Sequence, residues 1–193
     1  MANVTIPNLI TLARILLTPL FIICLIQGRY ERALLVFVLA GLSDLADGLI
    51  ARVWQQKSKL GSYLDPLADK LLLGASFVTL SVYRQIPSWL TVMVLSRDLA
   101  LTLGVLLLRL VDYPLVIRPS VYAKLTTNAQ LATVLLVLVA RIWPLPPGLL
   151  KAFFWLTAGL TVVSGTHYVY GGLRMVSQAG SSGQEGGREG GRG

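Results

Sequence analysis

The feature that most constrains this chain is a crowding of aspartates in an otherwise apolar sequence. One short window contains Asp44, Asp47, Asp65 and Asp69, which are four of the six aspartates in the chain. A carboxylate in or near a lipid-facing segment is costly, so such a residue is a functional-site hypothesis by default. Four of them in one window predict that the chemistry of this protein is located there.

The composition indicates a membrane protein. The chain has 193 residues, of which 54% are hydrophobic and only 13% charged, and its mean hydropathy is +0.69. Soluble domains carry about 25% charged residues. The single cysteine, Cys24, excludes an internal disulfide.

The net charge of +8 does not indicate a nucleic-acid partner. A nucleic-acid-binding domain clusters its cations on one face, whereas the Lys and Arg residues here lie at the ends of apolar segments. This placement favours topology signals together with an anionic substrate or anionic lipid headgroups. We therefore expect the lipid bilayer as a partner and no nucleic acid.

Six apolar segments predict an all-α integral membrane fold with six transmembrane helices. They run over residues 13–27, 33–53, 62–83, 87–108, 121–142 and 149–176. Most approach the ~20 residues that a helix needs to cross a hydrocarbon core of ~30 Å. The first is short, so it is either extended or tilted, or residues 4–12 form a separate N-terminal helix in the membrane interface. The expected fold includes this interfacial segment.

The domain organisation follows from a change in composition near residue 176. Residues 1–176 form the predicted membrane domain, and residues 177–193 are rich in Gly, Ser, Glu and Arg. Such a segment cannot bury enough apolar surface to order itself, so a disordered tail is expected.

The distribution of cations predicts the orientation in the membrane. With both termini cytoplasmic, that side carries ten cations: Arg14, Arg52, Lys57, Lys59, Arg109, Arg118, Lys124, Arg174, Arg188 and Arg192. The other side carries five: Arg29, Arg32, Arg84, Arg141 and Lys151. This asymmetry follows the positive-inside rule. It predicts a multi-pass protein of the cytoplasmic (inner) membrane with the aspartates facing the cytoplasm.

Helical periodicity brings the four aspartates together. In the second segment, positions 44, 47, 48, 51 and 52 share one helical face, as do positions 61, 65 and 69 in the third. The connection between the segments is short enough to make them antiparallel neighbours. The two faces can therefore meet with four carboxylates around one point.

Four clustered carboxylates repel one another unless cations neutralise them, and all-oxygen ligand sets suit Mg²⁺ or Mn²⁺. Gly48 and Gly61 leave room for something bulky to approach the backbone. Arg52, Lys57 and Lys59 offer cations for phosphate. A two-metal site beside basic residues at a membrane surface suggests phosphoryl-group chemistry on a lipid. Helix caps, a salt-bridge network and an acidic pore ring remain alternatives.

The full pattern, D-x2-D-G-x2-A-R-x8-G-x3-D-x3-D, resembles the signature of the CDP-alcohol phosphatidyltransferase family at every defined position. The segments PNLITLAR (7–14) and LDPLADK (64–70) resemble the branch that forms glycerophospholipids, which includes phosphatidylglycerophosphate synthases and CMP-forming cardiolipin synthases. The resemblance implies transfer of a phosphatidyl group from CDP-diacylglycerol to an alcohol, with release of CMP. It also leads us to expect a homodimer.

The same resemblance implies roles for individual residues. Asp44, Asp47, Asp65 and Asp69 would bind two Mg²⁺ or Mn²⁺ ions, and Asp69 would also accept the proton of the attacking hydroxyl as the catalytic residue. The residues expected to contact CDP-diacylglycerol are Gly48, Arg52, Ser58 and Gly61.

The acceptor alcohol is the open question. Glycerol 3-phosphate is ranked first, and phosphatidylglycerol, which gives cardiolipin, is the alternative. Arg97 and Lys124 are the candidate ligands of the acceptor phosphate, although Arg97 and Asp98 could instead pair with each other, or Asp98 with Lys70. Two readings from other classes remain. A membrane prenyltransferase would need a second Asp-rich motif, and a transporter would release no CMP.

Overall fold

The computed structural model consists of six α-helices. Its description covers the backbone of residues 6–54, 61–110 and 121–189, and the side chains of residues 11–43, 67–104, 121–146, 148–168 and 170. The helices are α1 (Ile6–Ile26), α2 (Tyr30–Trp54), α3 (Gly61–Val82), α4 (Ser88–Leu110), α5 (Val121–Ala140) and α6 (Pro147–Glu189). Within these described ranges there is no β-strand. The all-α prediction is therefore confirmed.

Short connections make successive helices antiparallel, so the bundle has two ends. The aspartate-rich sequence lies where α2 ends and α3 begins, and we call this the motif end. At the opposite end, the Gln85 side-chain amide beyond α3 donates to the Tyr30 hydroxyl at the start of α2, at 2.7 Å. Each helix has at least 20 residues and is therefore at least ~30 Å long.

The apolar core lies among α1, α2, α3 and α5. The rings of Phe21 and Phe37 lie 5.6 Å apart at the α1–α2 contact. Phe77 and Leu80 of α3 and Leu138 of α5 are also fully or almost fully buried in this cluster. Cys24 lies in the same core.

Polar side chains are buried in this bundle while many leucines lie on its outside. Thr11, Arg14 and Thr18 form one buried face of α1. The exposed face of the same helix carries Leu12, Leu16, Leu20, Ile23 and Ile26. Monomeric soluble proteins rarely expose large contiguous apolar patches. This distribution, with polar groups between the helices and large apolar side chains on the outside, supports a bundle surrounded by lipid.

Two of the described helical stretches are long and apolar enough to cross a membrane, Val121–Ala140 and Gly148–Tyr168, and Thr11–Ile26 is a shorter apolar stretch. Length and composition thus support a membrane protein. The prediction of six spans is finer than this observation and is taken up as a proposal below.

The predicted separate interfacial helix over residues 4–12 is not present as its own element. α1 is continuous from Ile6 to Ile26, so the alternative of an extended first helix is the one observed. Pro7 lies at the second position of the helix, where its missing N–H leaves no intrahelical bond unmade. No break follows Leu12, and Pro19 also lies inside the helix without ending it.

The C-terminal segment also differs from the expectation of disorder, because α6 continues to Glu189. No proline occurs between residues 177 and 189, and a glycine in a helix costs only about 1 kcal/mol relative to alanine. The division of the chain at residue 176 stays a prediction.

Candidate active site

The motif lies on α2 and α3, which both pack against α1, and the meeting of its two faces around one point stays a prediction. Asp44, Asp47, Gly48 and Arg52 lie in the last turns of α2, and Gly61, Asp65 and Asp69 lie in the first turns of α3. The side chains of Asp44, Asp47, Arg52 and Asp65 lie outside the described residues, as does all of Ser58. Their predicted roles therefore stay predictions.

Asp69 is held by a residue that the periodicity argument did not include. The Arg14 guanidinium of α1 donates to Asp69 Oδ1 in an ion pair across 55 sequence positions. The Arg14 side chain is 1% exposed, whereas that of Asp69 is 41% exposed. The cation is thus buried within the bundle, whereas the carboxylate side chain reaches the surface. The charge count places Arg14 among the cations of the cytoplasmic side, and the ion pair to Asp69 is a contact that this count does not predict.

Lys70 links the motif to α4. Its Nζ donates to the Thr102 hydroxyl and approaches the Asp98 backbone oxygen at 3.4 Å. The Thr102 hydroxyl itself donates to the same Asp98 oxygen at 2.7 Å. The residue that follows Asp69 in sequence therefore ties α3 to the turn of α4 that carries Arg97 and Asp98.

Arg97 pairs with Asp98, which is the alternative to phosphate binding anticipated from the sequence. Arg97 Nη1 donates to Asp98 Oδ1 at 2.6 Å, and Nη2 donates to the Ser164 hydroxyl of α6. The Arg97 side chain is only 8% exposed. Its Nε is buried and forms no hydrogen bond with the described atoms. The guanidinium is thus fixed through Nη1 and Nη2, and its Nε–H group makes no hydrogen bond with the described atoms.

Arg97 lines a cavity of about 510 Å³ between α4 and α6, which we call the Arg97 cavity. Its lining consists of Met93, Arg97, Thr161, Val162, Gly165, Thr166 and Tyr170. Apart from the guanidinium and the hydroxyls of the two threonines and Tyr170, these side chains are apolar. A ligand that fits here is a single anionic group attached to an apolar body.

The polar stripe of α5 divides into an exposed and a buried part. Lys124 is exposed and does not line the Arg97 cavity, so these two candidate acceptor ligands are not brought together there. Thr126 is buried and its hydroxyl donates to Leu160 O of α6 at 3.0 Å. Gln130 is 1% exposed, and neither polar atom of its amide has a partner among the described atoms.

A lone histidine in an apolar segment predicts a packed and hydrogen-bonded core residue, but His167 is exposed on α6. Its ring lies 5.3 Å from that of Tyr122 on α5, centroid to centroid. This is a ring contact at the surface of the bundle, and the core interpretation was wrong.

The available donors suit a hard metal ion as far as they are described. Asp69 offers a carboxylate side chain that is 41% exposed, and carboxylate oxygens are ligands that Mg²⁺ and Mn²⁺ accept. No group of three or more potential metal ligands occurs in the described part, which includes only Asp69 of the four motif aspartates.

Comparison of the sequence with known families identifies the family of this chain. A sequence model described as CDP-alcohol phosphatidyltransferase matches residues 4–163, which include the entire motif, Arg14 and the Arg97 cavity up to Val162. The chain belongs to this family. The resemblance inferred from the motif is thereby confirmed.

Relatives within the family have two different names. The chain is 36% identical over 189 residues to the human cardiolipin synthase (CMP-forming), covering 89% of this chain and 63% of that protein. It is 35% identical to the probable cardiolipin synthase (CMP-forming) of Drosophila melanogaster, covering 86% of this chain and 56% of that protein. It is 34% identical to the CDP-diacylglycerol–glycerol-3-phosphate 3-phosphatidyltransferase of Bacillus subtilis, covering 84% and 92%. The chain thus spans less than two thirds of the first two relatives.

Proposed function

We propose that the chain transfers the phosphatidyl group of CDP-diacylglycerol to a glycerol-type alcohol and releases CMP. One observation carries this proposal: the complete family motif lies in the last turns of α2 and the first turns of α3, inside the family match. The geometry of Asp69 adds to it, because a buried cation orients a carboxylate side chain that is 41% exposed.

The proposed reaction is a displacement at phosphorus. The acceptor hydroxyl forms a bond to the phosphatidyl phosphorus, the bond from that phosphorus to CMP breaks, and CMP leaves with the electron pair. Asp69 accepts the hydroxyl proton, since a carboxylate within hydrogen-bond reach can act as general base. Two Mg²⁺ or Mn²⁺ ions, held by Asp44, Asp47, Asp65 and Asp69, would neutralise the diphosphate. Gly48, Arg52, Ser58 and Gly61 would contact the CDP portion.

Arg14 has a positioning role in this proposal. Its guanidinium fixes the orientation of Asp69 and contributes one positive charge beside a strongly acidic motif. Because Arg14 is buried and comes from α1, it also connects the first helix to the reacting centre. Catalytic groups need this kind of support, since small misplacements cost large factors in rate.

The Arg97 cavity favours phosphatidylglycerol as the acceptor, which would make cardiolipin. Phosphatidylglycerol is a diester that carries one charge and two acyl chains, and it matches one guanidinium in a largely apolar cavity. The Asp98 carboxylate beside Arg97 reduces the net charge available to a phosphate. The relatives named cardiolipin synthase also have the slightly higher identities.

Glycerol 3-phosphate, ranked first from the sequence, remains the second candidate. The observation that supports it is the Bacillus subtilis relative named for this acceptor, of which the chain spans 92%. Glycerol 3-phosphate is a monoester with up to two charges, so it would need a further cation. The exposed Lys124 would have to supply this charge from outside the Arg97 cavity.

The proposed setting is a bilayer crossed six times, with the motif end at the cytoplasmic side of the inner membrane. The lipid-compatible outer face of α1 and the two long apolar helices support this arrangement. With Arg14 removed from the charge count, nine cations remain on the cytoplasmic side against five on the other. A homodimer is part of the proposal on the family resemblance alone.

The deciding experiment gives purified enzyme labelled CDP-diacylglycerol and one acceptor at a time. We expect CMP release and labelled cardiolipin with phosphatidylglycerol, and little turnover with glycerol 3-phosphate. Asp69→Asn is the matched control, since it removes the proton acceptor while conserving side-chain volume. CMP release with glycerol 3-phosphate alone would replace our acceptor by the second candidate, and no CMP release with either would overturn the transfer proposal.

A further inference from the structure

The end of the bundle opposite the motif contains a second cavity, which the transfer reaction does not use. It has a volume of about 500 Å³ and lies where the α1–α2 turn meets the end of α5. Arg29, Arg32 and Arg141 line it together with Tyr30 and Glu31. We call it the arginine cavity. Along α3, 13 residues separate Asp69 from Val82 at this end, which corresponds to about 20 Å.

The arginine cavity is lined by two separate parts of the chain, residues 28–32 and residues 141–142. The Arg141 guanidinium lies over the Tyr30 ring, 5.3 Å from its centroid. The Tyr30 hydroxyl accepts a hydrogen bond from Gln85, which follows α3. The turn before Tyr30 is fixed by backbone bonds, including the Arg29 N–H donating to Cys24 O at 2.9 Å. Neighbouring elements therefore support the Arg141 guanidinium and the backbone that carries Arg29.

The charge of this cavity is not balanced from within. Three guanidinium groups face one carboxylate, Glu31. Arg29, Arg32 and Arg141 make no ion pair with any carboxylate in the described part of the chain. The first turn of α2 also begins here, and helix N-termini add a further favourable potential for anions. Three arginines with one carboxylate between them suit a phosphate group as ligand.

The position of the cavity identifies the source of the phosphate. Trp143 follows Arg141 by two residues and is 59% exposed, and Trp89 at the start of α4 packs against Trp155 at 5.2 Å between ring centroids. Tryptophans at helix ends mark the headgroup level of a membrane. At this level the abundant anion is the phosphate of a phospholipid. The cationic headgroup of a zwitterionic lipid would be repelled by the three arginines.

From these observations we infer that the arginine cavity binds the headgroup of an anionic phospholipid in the leaflet opposite the aspartate motif. The phosphate accepts hydrogen bonds from Arg29, Arg32 and Arg141, whose planar donors suit bidentate contact with phosphate. Binding there ties the α1–α2 turn to the end of α5. The inference rests on the proposed six-span arrangement, but not on the identity of the acceptor.

The test measures phosphatidylglycerol retained by the full chain in detergent, counted by native mass spectrometry. The variant R29Q/R32Q/R141Q should lower the affinity at least about tenfold, since each arginine near a membrane surface contributes about fivefold. Lys151→Gln is the matched control: it removes one exposed cation near the same end, outside the cavity lining, and should change the affinity by no more than the roughly fivefold share of one cation near the surface. Glu31→Gln should raise the affinity.

Two further arms separate this site from the active site and from free phosphate. Because phosphatidylglycerol is also the proposed acceptor, wild type should retain it at two sites. Arg97→Ala should lose only the lipid at the Arg97 cavity, and the triple variant only the lipid at the arginine cavity. The triple variant should still release CMP, so failure of one proposal is distinguishable from failure of the other. Inorganic phosphate should not displace the lipid, and phosphatidylcholine should bind equally weakly to wild type and triple variant. Unchanged phosphatidylglycerol binding in the triple variant, or displacement by inorganic phosphate, would overturn the inference.

Discussion

Arg14 and Asp69 form an ion pair that joins the first helix to the last aspartate of the motif. The arginine is buried and the aspartate is partly open, so the pair fixes a carboxylate without closing it off. A buried cation is retained at a cost in desolvation, and its removal leaves the partner charge uncompensated. The functional interpretation of α1 depends on this contact.

We expect Arg14→Lys to fold and to lower kcat roughly tenfold or more, because lysine keeps the charge but lacks the planar fork that orients a carboxylate. The KM for CDP-diacylglycerol should change much less than kcat. The measurement is steady-state CMP release by purified protein, with Arg84→Lys, an exposed residue at the opposite end, as the matched control. Equal kcat values for Arg14→Lys and wild type would remove the positioning role.

A second prediction separates metal binding from proton transfer. Asp44→Ala should abolish turnover and weaken Mn²⁺ binding, because a ligand of a shared two-ion site is lost. Asp69→Asn should also abolish turnover, yet leave CDP-diacylglycerol binding largely intact. Calorimetric titration with Mn²⁺ and with a CDP-diacylglycerol analogue provides both readouts. An Asp69→Asn protein that turns over near the wild-type rate would contradict the general-base assignment.

Hydropathy and turn residues predicted most helix bounds to within a few residues, because lipid burial and proline-rich breaks are local signals. The fifth segment begins at Val121 in both prediction and structure. The ion pair of Arg14 was beyond such reasoning, since its partner is 55 positions away and no local period connects them. One signal was available: Thr11, Arg14 and Thr18 recur at helical spacing, opposite an apolar stripe.

The polar contact between α5 and α6 gives a stability prediction. The hydroxyls of Thr133 and Thr157 are buried and lie 2.7 Å apart. Thr157→Val should destabilise the protein by about 1 kcal/mol, because it leaves the Thr133 hydroxyl unsatisfied. The double variant T133V/T157V should recover much of this loss, since both partners are then apolar. Thermal unfolding in one detergent measures the stability of the single and double variants. A double variant that loses more stability than the two single variants lose together would contradict the account.

The orientation of the bundle can be tested in intact cells. In a Cys24→Ser background, a cysteine replacing Tyr83 at the arginine-cavity end should react with an impermeant thiol reagent from outside, whereas one replacing Gln56 should react only after lysis. Tyr83 is exposed at the end of α3, and the charge asymmetry places its side away from the cytoplasm. Labelling of position 56 in intact cells would reverse the proposed topology.

The last prediction concerns how Arg97 binds the acceptor. Arg97→Ala should raise the KM for the acceptor at least about tenfold and the KM for CDP-diacylglycerol much less, since a charged hydrogen bond to phosphate is worth about 1.5–3 kcal/mol. Ser164→Ala removes one hydrogen bond that orients the guanidinium, so it should raise the acceptor KM by a smaller factor. Thr166→Val is the control, because it changes the cavity lining without a contact to Arg97 among the described hydrogen bonds. If Arg97→Ala raises both KM values equally, the residue supports the fold of α4 against α6 and does not bind the acceptor.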